Sequence, residues 1–96
     1  MEKKELYVKR MNDQLDEWRA KVDELRARAN KKGSDFVIKN QGTLDNLTGT
    51  VTEAQTQLNK IKNDTGSAWE ELKKGLDVAF TEIKTAFERA SAKFSQ

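Results

Sequence analysis

Acid–base, nucleophilic and metal chemistry lean on a few side chains, and this sequence has neither histidine nor cysteine. A general base must then be a carboxylate or a lysine. Two groups of acids, Asp13/Asp16/Glu17 and Glu70/Glu71, are close enough in sequence to hold a divalent cation through oxygen. Basic residues alternate with them at helical spacing, which instead predicts solvated, salt-bridged faces. Disulfides and Cys/His metal sites are excluded. The five glycines, at 33, 42, 49, 66 and 75, are scattered, and none precedes a Lys-Ser/Thr pair as in a phosphate-cradling loop. The expectation is a non-enzymatic chain with no cofactor, no metal and no small-molecule substrate.

Two stretches carry binding chemistry. Lys3, Lys4, Lys9 and Arg10 surround Tyr7 in the manner of a nucleic-acid patch, but Glu2 and Glu5 interrupt it. With 18 basic against 16 acidic residues, the chain is not a polycation. No nucleic-acid partner is expected. The C-terminal third sets Trp69, Phe80, Phe87 and Phe94 on one side and Lys73, Lys74, Lys84 and Lys93 around the other. Such a helix can lie on a lipid or polymer-granule surface. Its five acids and five bases gain little from anionic lipid, and a wide aromatic stripe equally makes a packed core.

The elements that would position these side chains are helices. The 96 residues include no proline, and charged and apolar residues each make up 35%, the balance of amphipathic helices rather than of a thick globular core. In the first third Val8, Met11, Leu15, Trp18, Val22, Leu25 and Ala29 alternate three and four apart, the seam of a coiled coil. Glu5/Lys9, Glu17/Lys21 and Glu24/Arg28 stand at i,i+4 with the acid first. In the second, Leu44, Leu47, Val51, Ala54, Leu58 and Ile61 continue the seam after a one-residue slip. That third is poor in charge and rich in Thr, Asn and Gln, and is expected to be the softest. In the last, Trp69, Leu72, Leu76, Phe80, Ile83, Phe87, Ala90 and Phe94 form a wider stripe, suited to packing against two neighbours.

Breaks are expected at glycine. Gly33 followed by Ser34 and Asp35 reads as a helix stop and a new N-cap, and Gly66 followed by Ser67-x-x-Glu70 reads as a stop and a capping box. Helices are thus expected over about 5–32, 35–64 and 67–95. Near-equal lengths and short links fit an antiparallel three-helix bundle, a single all-α domain over 1–96. In the rival, the first two segments fuse into one long helix and the last folds back as a hairpin that oligomerises. No stretch has the apolar core of a signal peptide or the length to span a bilayer, so a cytoplasmic location is expected.

YVKRMNDQLDEWRAKVDELRARAN and SAWEELKKGLDVAFTEIKTAFERASAKF together resemble a family of small bacterial coiled-coil proteins of unknown function. The middle, with Gly42, Gly49 and its threonines, departs from that family's more charged central helix. The resemblance implies an all-helical, oligomerising protein with no known reaction, and leans toward a continuous helix through Gly33. The combined expectation is a module that binds itself or another helical protein. Its seam would be Met11, Leu15, Trp18, Val22, Leu25, Leu44, Leu47, Val51, Leu58, Ile61, Trp69, Leu72, Leu76, Phe80, Ile83, Phe87 and Phe94.

Overall fold

The computed structural model describes residues 2–95, which form three helices: α1 (Lys3–Lys32), α2 (Ser34–Asn63) and α3 (Trp69–Phe94). Thirty residues at ~1.5 Å each make a rod of about 45 Å. The molecule measures 50 × 20 × 18 Å, so the helices lie side by side and the fused-helix rival does not describe this fold. Contacts fix an up-down-up bundle. Arg19 reaches Gln55 and Arg26 reaches Thr48, which makes α1 and α2 antiparallel. Tyr7 reaches Asp77 and Trp18 meets Phe80 and Phe87, which makes α1 and α3 parallel.

Gly33 alone separates α1 from α2. Its backbone lies at φ 112°, ψ 168°, a region essentially reserved for glycine, and its N–H bonds the carbonyl of Asn30 at 3.3 Å. The expected cap at Ser34 or Asp35 does not form: Gly33 itself occupies the N-cap position, and no side chain caps the first turn of α2. The second break is a link over 64–68, and the expected Ser67/Glu70 box is also absent. Instead the Asp64 carboxylate accepts the Trp69 backbone N–H at 3.2 Å, and Ser67 contributes only its carbonyl, to the Glu70 N–H. A side chain beyond the end of α2 thus takes one of the unpaired donors that open α3.

Each helix turns one stripe inward. Leu15, Trp18, Val22 and Leu25 are buried from α1, Leu44, Leu47, Val51, Leu58 and Ile61 from α2, and Leu76, Phe80, Ile83, Phe87 and Phe94 from α3. Met11 and Trp69 are half-buried against this core. Both frames at the slip are used, since Phe36 and Val37 each pack on the core while Ile38 turns out to solvent.

Leu72 departs from its expected place in the seam and is 40% exposed. It shares the α3 face of Ala79 and Ala86, which border α2. The antiparallel pairing that sets Ala79 near Gln57 and Ala86 near Thr50 brings Leu72 level with Asp64, where α2 has ended. No turn of α2 remains to cover it.

Candidate interaction surface

Aromatic rings form a column along α3, against α1 over most of its length and against α2 at the Gly33 end. Tyr7 and Trp69 lie 6.2 Å apart at one end. In the middle Trp18 meets Phe80 at 4.8 Å and stacks on Phe87 at 5.9 Å with 10° between the planes. Phe36 closes the Gly33 end edge-on to Phe94 at 5.2 Å. The two tryptophans thus anchor separate layers and do not meet each other. Midway along the α2–α3 side the lining residues Ala54, Ala79 and Ala86 are small. Rings on one side and alanines on the other hold α1 and α3 further apart, and an open groove runs over Trp18 and Phe87.

The rim of that groove is charged. Gln14, Glu17 and Lys21 line the α1 wall, and Lys84, Glu88 and Ser91 line the α3 wall. Lys21 pairs with Glu24 at 3.4 Å, whereas among the described residues Glu17 meets only the Gln14 amide, at 3.5 Å. Among the described residues Lys84 and Glu88 form no ion pair. Because α1 and α3 are parallel, Glu17 stands roughly level with Lys84, and Lys21 with Glu88. The signs therefore alternate both along each wall and across the groove.

Three of the other candidate acids are spent locally. Asp13 pairs with Lys9 at 3.2 Å, Asp16 with Arg19 at 2.9 Å and Glu71 with Lys74 at 3.5 Å. Glu24 takes Arg28 at 2.8 Å as the spacing predicts, but Lys9 turns from Glu5 to Asp13 and Lys21 from Glu17 to Glu24. Among the described residues no three His, Cys, Asp or Glu side chains converge as metal ligands would.

Tyr7, the ring at the centre of the basic patch in the sequence, is buried. Its phenol donates to Asp77 Oδ1 at 2.8 Å, and the Lys73 ammonium sits 5.4 Å from its ring centre. Burial, then the Asp77 hydrogen bond and charge, push the phenol well above its ordinary pKa. The ring that would stack on a base is taken. Nearby, Lys4 donates to the Asp64 carbonyl, joining the start of α1 to the end of α2.

Asn40 was not legible as a core residue by type, yet it is 2% exposed. Its Nδ2 donates to the Phe36 carbonyl at 2.9 Å, and its Oδ1 is buried with no partner among the described residues. Running the seven-residue series Ile61, Ala54, Leu47 backwards lands on Asn40, so spacing alone carried the signal.

No family model, curated protein or solved structure matches the chain.

Proposed function

We propose that this is a non-enzymatic helical module of the bacterial cytoplasm that acts by helix-to-helix recognition, with the α1–α3 groove as its recognition face and a second copy as the occupant. One observation carries the reading: the floor is the Trp18–Phe87 stack and the rim alternates in charge, with Glu17, Lys84 and Glu88 forming no ion pair among the described residues. That rim is self-complementary. Turning a second copy face-down about an axis along the helices sets Glu17 of each copy over Lys84 of the other, and Lys21 over Glu88. Exposed ion pairs add little affinity but fix register and partner choice.

The competing reading lays the aromatic stripe of α3 on a lipid or polymer surface. It requires Phe80, Phe87 and Phe94 to leave the core, each forfeiting about 1.5–3 kcal/mol of burial. Groove docking needs no such opening.

Sedimentation equilibrium at low salt tests the groove. Reversible self-association is expected, weakened by Lys84→Glu and restored when Glu17→Lys is added. A chain that stays monomeric, or a dimer indifferent to both substitutions, overturns the assignment. Capture of a different helical protein on the same face would replace self-recognition with hetero-recognition.

A further inference from the structure

We propose that two copies of the chain exchange α1: Gly33 straightens, α1 and α2 become one continuous helix, and each α1 packs on the α2 and α3 of the other copy. The inference rests on the hinge and not on the α1–α3 groove.

The hairpin is held by one residue. Helix hairpins ordinarily use links of about 2–5 residues. Here two 30-residue helices are joined by Gly33 alone, and the reversal depends on a φ of 112° that other residues rarely adopt. Short hinges of this kind favour exchange, because the closed form must hold its single linking residue in one reversed conformation that the open form does not need. The break also leaves the first turn of α2 without a side-chain cap. In a straight helix the amides of Ser34 and Asp35 would bond the carbonyls of Asn30 and Lys31 by the ordinary i→i−4 pattern.

Exchange forfeits none of the packing. Arg19 with Gln55, Arg26 with Thr48 and Asp45, and the whole α1–α2 seam re-form between copies in the same antiparallel register. The slipped seam is also accommodated. From Ala29 to Val37 is eight residues, which turns the apolar stripe by roughly 80° beyond two full turns. The two lobes of the dimer are therefore rotated about the long helix, each a complete three-helix packing unit.

Length separates this dimer from any groove dimer. One helix over Lys3–Asn63 is about 90 Å long. Side-by-side docking keeps the 50 Å of the single bundle. The test is light scattering with small-angle X-ray scattering on three full chains: wild type refolded at high protein concentration, Gly33→Ala, and a chain with Gly-Asn-Gly-Ser inserted after Gly33. Wild type is expected to give some dimer about 90 Å long. In Gly33→Ala the hairpin is strained at both hinges while the straight helix gains a better helix former, so dimerisation should tighten on the order of 100-fold. The inserted link should abolish the long dimer. The proposal is overturned if Gly33→Ala remains a 50 Å monomer. It is equally overturned if that chain loses its helicity at high concentration, because the exchanged form should rescue it, or if the inserted link leaves the long dimer unchanged.

Discussion

The Tyr7 hydroxyl donates to the Asp77 carboxylate at 2.8 Å, tying the first turns of α1 to α3 across 70 residues of chain. Tyr7→Phe keeps the ring against Trp69 and leaves Asp77 without its donor. A loss of about 1.5–3 kcal/mol in chemical denaturation is expected, the range for a hydrogen bond to a charged group. The pH dependence has a definite sign. The folded-state pKa is raised above the ordinary 10.0, so the contribution is complete below pH 10 and is lost as pH climbs from there toward the folded value. The informative quantity is wild-type stability minus Tyr7→Phe stability, which cancels whatever the two chains share. That difference should shrink above pH 10, and a flat difference would place the phenol in solvent.

Asn40→Leu should stabilise the bundle. The substitution removes a buried carbonyl with no partner among the described residues and supplies an apolar side chain with the same heavy-atom branching. A gain of about 1–2 kcal/mol follows from the cost of an unsatisfied buried polar group. Thermal unfolding followed by circular dichroism reads this as a higher Tm. An unchanged or lower Tm would mean that Oδ1 is satisfied in solution.

Gly42 and Gly49 lie on the exposed side of α2, and an added Cβ at either meets nothing within 4 Å. Each Gly→Ala change should therefore contribute about 1 kcal/mol from helix propensity alone. Near-additive gains in urea midpoints are expected, since the positions are two turns apart.

Leu25 and Leu47 are enclosed by the core, and truncation of either to Ala should cost about 2–4 kcal/mol. Leu72→Ala should cost well under half of that. Equal losses at all three would show Leu72 to be covered, for instance by a second copy.

Asp64→Ala should cost about 1 kcal/mol by uncapping α3, while Ser67→Ala should be close to neutral. The reverse order would restore the capping box that the local motif suggests.

These contrasts mark where sequence and structure part. The seams were legible because burial against a neighbouring helix imprints a three-four spacing on each strand of chain independently, and Leu15, Val51 and Ile83 are buried on that account. Gly33 was legible as a break because no other residue suits the reversal. Leu72 continues the same spacing, but the pattern within α3 carries no information about where α2 stops. Ser67 and Glu70 match a local motif that lost to Asp64, whose reach depends on the path of the link. Tyr7 with Asp77 is a pairing between distant segments, and nothing near either residue announces it. The α1–α3 groove follows from ring size set against alanine size on two different interfaces, a comparison available only once neighbours are known.

The bundle has an odd number of helices, so the chain enters at one end and leaves at the other. Glu2 and Ser95 emerge at opposite poles of a body 50 Å long. Tension applied through these two points runs parallel to every helix and loads α1 against α3 in shear. The interlocked rings of Tyr7, Trp69, Trp18, Phe80 and Phe87 must then all slip together, and the module resists stretching as a strut instead of peeling open one layer at a time.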